Sequence, residues 1–286
     1  MKASEQIAVL RAAGMAPKKS FGQNFLVSDA VLARIAAACV PDSELERARV
    51  VELGAGLGAL TSVLGARAAH VTAVERDRDL IPLLERSLTE SMAAERVTIL
   101  EADAQTLDLV ALFANAGGAP RVLAGNLPYQ ITGQLLRLAV EHAATVDRVV
   151  FMMQSEVAAR VVSAAGSKEY GALSVFVQAA FSPRIIEEVP AGAFAPPPRV
   201  TSAVVALVPL RPPRAKETAT FRALVKAAFG ARRKTLRNAW RAVTPNLQEL
   251  ERAAAAAGVS LDARGETLDV DAYDRVAQAL VAAEGR

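Results

Sequence analysis

The sequence has few of the residues that build metal centres, disulfides and charge relays. It contains one cysteine, Cys39, and two histidines, His70 and His142, in 286 residues. A single cysteine excludes an intramolecular disulfide and suits a reducing compartment, and its apolar neighbours predict a buried thiol. Two histidines so far apart disfavour both a His/Cys metal site and a Ser-His-Asp triad, so we expect no bound metal.

Long apolar segments are missing as well. No apolar run approaches the roughly 18 residues that a membrane span needs, and residues 1–6 are polar and lack the apolar core of a secretory leader. Hydrophobic residues nevertheless make up 52% of the chain, which is typical of a globular protein. We therefore expect a cytoplasmic protein with no membrane partner, long enough for two domains.

Charge is distributed unevenly along the chain. Residues 199–241 hold eleven Lys or Arg and a single acid, Glu217, which gives a net charge of +10. The rest of the chain has 22 bases and 29 acids, and its net charge is −7. A basic block on an otherwise acidic chain is typical of a protein that binds a polyanion such as a nucleic acid. A solvated helix face is the alternative.

The hydrophobic periodicity alternates between strand and helix from residue 49 onward. Strands are predicted at five short apolar runs: 49–53, 70–75, 97–100, 121–125 and 147–153. Helical patterns lie between and after them, near 58–67, 78–90, 106–114, 131–143 and 155–163. Such alternation predicts an α/β fold, with a parallel sheet and helices on both faces.

The remaining patterns predict a sheet edge and a second domain. Two apolar runs, 173–181 and 202–210, have too few residues between them for a crossover helix, so they are predicted as antiparallel edge strands of a seven-stranded sheet. A stiff charged linker follows, and then come helical patterns near 219–229, 232–243, 246–257 and 270–283. The predicted domains are an α/β domain at 1–210, with an N-terminal extension at 1–27, and an all-α domain at 211–286.

A glycine-rich turn follows the first predicted strand. Gly54, Gly56 and Gly58 stand at alternate positions, and only glycine lets the backbone take positive φ and approach a ligand without a Cβ in the way. Glu75 ends the next strand, 21 residues after Gly54, where an acidic residue commonly hydrogen-bonds a ribose diol. Together they predict a nucleoside cofactor. A nicotinamide dehydrogenase stays as an alternative, although such enzymes have the spacing G-x-G-x-x-G and this chain has G-x-G-x-G.

The tetrapeptide Asn126-Leu127-Pro128-Tyr129 follows the strand 121–125. Alone it reads as an ordinary turn, because Asn and Pro favour turns. Beside a nucleoside site, it supplies what methyl transfer to an adenine N6 amine requires. The Asn126 amide oxygen and the Leu127 carbonyl can accept the two amine hydrogens, an aromatic ring at 129 can stack on the base, and the proline stiffens the turn. Such catalysis acts mainly by positioning and needs no general base before attack.

Five motifs in this order resemble the bacterial ribosomal RNA small-subunit adenine N6-dimethyltransferases. They are Phe21–Leu26, Glu52–Gly58, Asn126–Tyr129, Phe194–Val200 and Arg232–Asn238. The resemblance implies a Rossmann-like S-adenosylmethionine-dependent methyltransferase domain and a small all-α C-terminal domain that binds rRNA. It also implies dimethylation of N6 of two adjacent adenosines in a hairpin near the 3′ end of 16S rRNA, in the immature small subunit during ribosome biogenesis.

The resemblance assigns site residues as well. The implied contacts to S-adenosylmethionine are Asn24, Leu26, Gly54, Gly56, Glu75, Asp103, Ala104 and Asn126. The implied catalytic residues are Asn126, Leu127, Pro128, Tyr129 and Phe194, with Tyr129 and Phe194 on either side of a flipped adenine. The predicted rRNA-binding residues are Arg232, Arg233, Lys234 and Arg237. With Arg241, they have a spacing that can put several cations on one helical stripe facing phosphates. Trp240, near this stripe, is expected in the core.

Two alternatives with related chemistry stay open. Relatives that dimethylate an adenine in large-subunit rRNA share the tetrapeptide, although the Phe194 loop and the motif at 232–238 favour the small subunit. A non-catalytic assembly factor could retain the pocket and only bind the pre-ribosome, although intact Asn126 and Tyr129 argue against that as its sole role. The sequence offers no spare apolar stripe, so we expect a monomer.

Overall fold

The computed structural model describes residues 3–18 and 21–284. Residues 1, 2, 19 and 20 of the predicted N-terminal extension therefore lie outside the described residues. The chain divides into two compact units: Met1–Ala158 with Arg184–Pro209 form the first, and Ala159–Pro183 with Leu210–Arg286 form the second. Residues 159–183 thus belong with the C-terminal helices, whereas the sequence placed them in the α/β domain.

The strands form one large sheet and one small one. In chain order they are β1 (Phe25–Leu26), β2 (Arg49–Leu53), β3 (His70–Glu75), β4 (Val97–Glu101), β5 (Arg121–Asn126), β6 (Arg148–Gln154), β7 (Phe181–Val189), β8 (Phe194–Ala195) and β9 (Ser202–Pro209). The seven-stranded sheet has the order β4-β3-β2-β5-β6-β9-β7, and β1 pairs with β8. Strands β2 to β6 are parallel, and β9 runs antiparallel to β6. The five predicted parallel strands are confirmed.

Thirteen α-helices accompany these strands within the described residues. They are α1 (Ala3–Ala12), α2 (Asp29–Cys39), α3 (Ala59–Gly65), α4 (Ile81–Ser87), α5 (Thr89–Ala93), α6 (Leu109–Leu112), α7 (Thr132–Glu141), α8 (Ser155–Val162), α9 (Ala172–Ala180), α10 (Ala219–Gly230), α11 (Leu236–Ala239), α12 (Leu247–Ala256) and α13 (Val270–Glu284). In the part of the chain that the structure describes, no helix has the length and apolar character to cross a bilayer.

The core of the first unit lies on the parallel strands. Val50, Val71, Val122 and Val150 are at most 1% exposed and form one cluster with the inner face of α2. Near-continuous apolar runs of this kind are typical of parallel strands buried on both faces. Cys39 belongs to the same cluster and is fully buried, as predicted. Burial raises the pKa of its thiol, so it is a packing residue and not a nucleophile.

One predicted strand is wrong. The run 173–181 forms the helix α9, and the edge strand β7 begins only at Phe181. Val175 and Ala179, four residues apart, lie on the buried face of α9 in the same core cluster as Trp240. The Gly171 N–H donates to Ser174 Oγ at 3.0 Å, which satisfies a free donor at the start of the helix. A short apolar run cannot distinguish these states by periodicity.

Gly125 in β5 marks a close approach to β2. A Cβ added there would lie 2.6 Å from the Leu53 carbonyl oxygen, which belongs to the backbone of β2. We expect Gly125→Ala to lower the free energy of unfolding by about 1–3 kcal/mol, because two strands would have to move apart. The measurement is urea unfolding of the purified variant.

Gly133→Ala is the matched control for this prediction. Gly133 lies in the first turn of α7, and a Cβ there would meet no heavy atom within 4 Å. Alanine favours helix over glycine, so this variant should equal or slightly exceed the parent protein in stability. Equal unfolding midpoints for the two variants would contradict the predicted clash at Gly125.

Candidate active site

A deep cleft opens at the carboxyl ends of the parallel strands. Its empty space, including the open mouth, is about 1190 Å³. Gly54, Glu75, Asp103 and Asn126 follow or end four strands, β2 to β5, and all four residues line it. Ligands of doubly wound sheets bind at this end of the strands. The predicted convergence of these four positions is confirmed.

The glycine turn has the backbone that the sequence predicts. Gly54, Gly56 and Gly58 have φ of +76°, +58° and +84°, values at which a side chain is strained. A Cβ at Gly54 would point toward the Asn126 carbonyl oxygen at 4.0 Å and Pro128 Cδ at 3.9 Å. The glycine turn and the tetrapeptide therefore lie close together in the wall of the cleft.

Glu75 is held rigidly at the end of β3. Its Oε2 accepts a hydrogen bond from the Gly56 N–H at 2.7 Å. Its Oε1 accepts from the N–H groups of Arg76 and Asp77, at 2.8 and 2.7 Å. A carboxylate can accept about four hydrogen bonds, so one further donor, such as a ribose hydroxyl, can be accommodated. Glu75 is 7% exposed, and a fixed, nearly buried acceptor is well suited to selecting a polar ligand group.

Asp103 lies at the end of β4, beside Ala104, and both line the cleft. One oxygen, Oδ1, accepts from the Gln105 N–H at 3.0 Å. The other, Oδ2, pairs with Arg76 Nη1 at 3.1 Å. These contacts fix the orientation of the carboxylate and leave acceptor capacity for an amine.

Asn24 and Leu26 join the cleft from the N-terminal segment. The Asn126 Nδ2 donates to the Asn24 carbonyl oxygen at 3.0 Å. Among the described residues, Asn126 Oδ1 has no partner and can accept a hydrogen bond from a ligand. Leu26 lies in β1, where it pairs with Phe194 of β8. This small sheet ties the segment that carries Asn24 to the proline-rich loop.

The rest of the tetrapeptide is fixed by contacts with the strands and the next helix. The Leu127 N–H donates to the Met152 carbonyl at 3.0 Å. The Pro128 carbonyl accepts from Thr132 Oγ1 at 3.1 Å. Tyr129 shares a hydrogen bond of 2.8 Å with Ser202 and is partly exposed in the cleft. Burial raises the pKa of the Tyr129 hydroxyl, so the ring is neutral at physiological pH.

Phe194 does not lie where the resemblance implies. Its side chain is 3% exposed and belongs to the core cluster of the first unit, and it is absent from the lining of the cleft. The cause is the pairing of β8 with β1, which turns Phe194 toward Leu26 and the core. Of the two rings that the resemblance places on either side of the adenine, Tyr129 is the one that lines the cleft and that a base can reach.

The cationic motif also differs from the expected helical stripe. Residues 231–234 form turns and a bend, and α11 begins only at Leu236. Arg232 Nη2 donates to the Lys168 carbonyl at 2.7 Å, and Arg237 pairs with Glu251 at 2.5 Å and Asp262 at 3.5 Å. Trp240 is fully buried, as predicted, and its Nε1 donates to the Leu224 carbonyl at 2.9 Å.

Two residues of the resembling motifs, Phe21 and Glu52, also line the cleft, although the sequence assigned neither of them a role in the site. Phe21 has two cations over its ring, Lys18 Nζ at 5.3 Å and Arg76 Cζ at 5.8 Å from its centroid. Glu52 is 1% exposed, and its Oε2 has no hydrogen-bond partner. Burial, with a smaller contribution from the charge of Glu75, raises the pKa of Glu52 to about 8. The sequence does contain a signal for a special role of Glu52, because an acidic residue inside an apolar strand is unusual.

The charges of the cleft favour a cationic ligand. Glu52 is mostly protonated at neutral pH because its pKa is raised to about 8. The charged side chains that line the cleft are then two acids and one base, Glu75, Asp103 and Arg76. The pyrophosphate of a nicotinamide dinucleotide would add two negative charges to this set, which argues against the dehydrogenase alternative. No cluster of His, Cys, Asp and Glu within residues 3–18 and 21–284 has the arrangement of a metal site.

Comparison with known proteins agrees with this geometry. A relative from Anaeromyxobacter sp. (strain K), named ribosomal RNA small subunit methyltransferase A, is 47% identical over 264 residues, 88% of this chain and 89% of the relative. A crystal structure of a dimethyladenosine transferase from Plasmodium falciparum has the same fold, with a TM-score of 0.71, 20% identity, and coverage of 87% of this chain and 94% of that one.

A second solved structure represents the large-subunit alternative. The crystal structure of 23S rRNA methyltransferase ErmE has a TM-score of 0.65 and 25% identity, and covers 90% of this chain and 100% of that one. The predicted Rossmann-like methyltransferase fold is confirmed by these similarities. Residues 14–284 match the family described as ribosomal RNA adenine dimethylase. The chain therefore belongs to the ribosomal RNA adenine dimethylase family.

Proposed function

We propose that this chain dimethylates N6 of two adjacent adenosines in a hairpin near the 3′ end of 16S rRNA. As a member of its family, it is an S-adenosylmethionine-dependent rRNA adenine dimethyltransferase. The proposal of this specific substrate depends on one observation: Asn126, Tyr129 and the glycine turn line the same cleft. It is supported by the small-subunit name of a relative that is 47% identical. The proposed setting is the immature small subunit in the cytoplasm, with the enzyme acting as a monomer.

The cleft fits S-adenosylmethionine in charge and in the placement of its acceptors. We assign the ribose hydroxyls to the remaining acceptor capacity of Glu75, and the adenine amine of the cofactor to Asp103. The methionine part is assigned to the space that the missing Cβ of Gly54 leaves open. Asn24, Leu26, Gly56 and Ala104 complete the walls. When bound, the cofactor supplies an electrophilic methyl group on a cationic sulfur.

The tetrapeptide orients the nucleophile. Because the Asn24 carbonyl engages Asn126 Nδ2 at 3.0 Å, Asn126 Oδ1 is available to accept one hydrogen of the target amine. The Leu127 carbonyl accepts the other, and the amine nitrogen then becomes more pyramidal and more nucleophilic. The Tyr129 ring stacks on the base, and its bond to Ser202 fixes the ring. Positioning of this kind can contribute roughly 7 to 11 kcal/mol to the barrier reduction.

Phe194 has a different proposed part. It is buried opposite Leu26 in the β1–β8 pair. It therefore anchors strand β1, and Asn24 immediately precedes this strand. We therefore propose it as a support for the Asn24–Asn126 contact and not as a stacking ring.

The second unit supplies the proposed phosphate contacts. The side chains of Arg233 and Lys234 are exposed, and no hydrogen bond or ion pair engages them among the described residues. Arg232 and Arg237 are also proposed to contact rRNA, but they must share their donors with Lys168, Glu251 and Asp262. Arg233 and Lys234 are therefore the principal candidates, since a free cation binds phosphate without first giving up a partner.

The substrate proposal is tested with ribosomal subunits that lack the modification. Small and large subunits from a strain deficient in both adenine dimethylations are incubated separately with the enzyme and tritium-labelled S-adenosylmethionine. We expect label in N6,N6-dimethyladenosine of 16S rRNA, mapped by primer extension to adjacent adenosines near the 3′ end. Label confined to 23S rRNA would support the large-subunit alternative, and no label in either RNA would support the non-catalytic assembly factor.

A further inference from the structure

An ion pair between a buried aspartate and a partly exposed lysine fastens the N-terminal segment beside the cleft. Asp77, two residues after the end of β3 at Glu75, is 2% exposed. Its Oδ1 accepts from Lys18 Nζ at 2.5 Å, and its Oδ2 accepts from Gln23 Nε2 at 2.8 Å. Burial alone would raise the pKa of the Asp77 carboxyl, but the hydrogen bonds from Lys18 and Gln23 outweigh it and lower this pKa. The carboxylate is therefore charged at neutral pH.

Gln23 connects this ion pair to Asn24. Its Oε1 accepts from the Lys18 N–H at 2.8 Å, while its Nε2 donates to Asp77. Both ends of the Gln23 amide are thus engaged, so its backbone position is fixed. The next residue is Asn24, whose carbonyl accepts from Asn126 Nδ2 at 3.0 Å. A chain of contacts therefore runs from the Asp77 carboxylate through Gln23 and the Asn24 carbonyl to the Asn126 amide.

Asp77 also contacts Glu75, the residue proposed to bind the ribose of the cofactor. The Asp77 N–H donates to Glu75 Oε1 at 2.7 Å. This bond uses the backbone and does not require the Asp77 carboxylate. A change at the side chain should therefore disturb Asn24 and Asn126 while leaving Glu75 in place.

We propose that Asp77 is a positioning residue for methyl transfer, which acts through Gln23 and the Asn24 carbonyl to set the Asn126 amide against the target amine. The inference rests on the role of Asn126 in the proposed function. Misplacement of a catalytic group by about 1 Å can cost on the order of 100-fold in rate. Removing the Asp77 charge should therefore slow the chemical step by a large factor.

The test compares two aspartates that pair with the same lysine. Asp77→Asn removes the buried charge, and Asp79→Asn removes a carboxylate that also lies 2.6 Å from Lys18 Nζ but is 63% exposed and does not contact Gln23. With unmodified small subunits and saturating cofactor, we expect Asp77→Asn to lower the single-turnover rate by about 10- to 100-fold. Asp79→Asn should stay within about twofold of the parent, because exposed ion pairs contribute little.

Cofactor binding and a second variant separate positioning from general damage. By titration calorimetry, Asp77→Asn should lose much less affinity for S-adenosylmethionine than rate at saturating cofactor. The Glu75 contacts persist, although Asn24 and Asn126 also line the cleft. Gln23→Leu leaves Asp77 intact and should reproduce the loss of rate. A parental rate in both Asp77→Asn and Gln23→Leu would overturn the inference. So would a loss of rate matched by an equal loss of cofactor affinity.

A double-mutant cycle with Asn126→Ala shows whether the effect passes through Asn126. If it does, Asp77→Asn should cost less than about threefold in the Asn126→Ala background, because coupled residues are not additive. The full 10- to 100-fold cost in that background would overturn the inference. Failure of the proposed function is seen separately, as absence of 16S methylation by the parent enzyme.

Discussion

Replacing Asn126 with alanine is expected to slow methyl transfer by a factor of about 100 to 1000, the loss typical for removal of one preorganised hydrogen-bonding group at a reacting centre. The amine lone pair of adenine is delocalised into the ring, and Asn126 Oδ1 is the side-chain acceptor proposed to favour its pyramidal form. The Asn24 carbonyl holds the amide in place at 3.0 Å, so little reorganisation is needed at the moment of reaction. The measurement is the single-turnover rate with unmodified small subunits at saturating S-adenosylmethionine.

Asn115→Ala is the matched control for this variant. Asn115 is exposed and does not line the cleft, so the same chemical change there should leave the rate within about twofold, as is usual for surface substitutions. Cofactor binding is measured in parallel, because Asn126 also lines the cofactor side of the cleft. An Asn126→Ala enzyme with a rate within threefold of the parent would show that the tetrapeptide acts by some other means.

The parallel half of the fold could be predicted from the sequence because its signals are local. The strands β2 to β6 are short apolar runs, and burial on both faces requires such runs. Gly54 and Glu75 stand at strand ends, where topology alone brings them to one edge. Their convergence with Asn126 therefore required no knowledge of side-chain packing.

The errors have non-local causes. Helix α9 is a short apolar run with two β-branched residues, Val175 and Val177. It is helical because Val175 and Ala179 complete a core with residues more than 40 positions away. Strand β7 went unrecognised because Arg184, Glu187 and Glu188 interrupt its apolar pattern. A polar edge strand has no periodic signal of its own.

The distinction between local and non-local causes also applies to the site residues. The position of Phe194 depends on β8 pairing with β1, from the far end of the chain, so a motif could not reveal that its ring is buried. Arg232 and Lys234 lie in a turn because α10 ends at Gly230, although their spacing fits a helix equally well. The buried contacts of Asp77 join residues 54 and 59 positions apart, which no local pattern encodes.

Glu52→Gln is expected to change the pH dependence of stability in the protein without cofactor. The folded-state pKa of Glu52 is about 8 and its ordinary value is 4.5, so between these values the folded chain retains a proton that the unfolded chain has lost. Stability of the parent should therefore fall as pH rises from about 4.5 to about 8, by roughly 1.4 kcal/mol per pKa unit of difference. Glutamine is neutral throughout, so the variant lacks this loss.

The measurement is urea unfolding of both proteins at pH 5, 6, 7 and 8. The free energy of unfolding of Glu52→Gln, relative to the parent, should increase with pH by a few kcal/mol in total. Glu90→Gln is the control, since Glu90 is an exposed residue of α5, and its difference from the parent should not vary with pH. A constant difference for Glu52→Gln would mean that Glu52 is ionised in the folded cleft. In that case a cation would be needed to compensate its charge, and adding S-adenosylmethionine should then stabilise the parent at pH 8 by more than it stabilises Glu52→Gln.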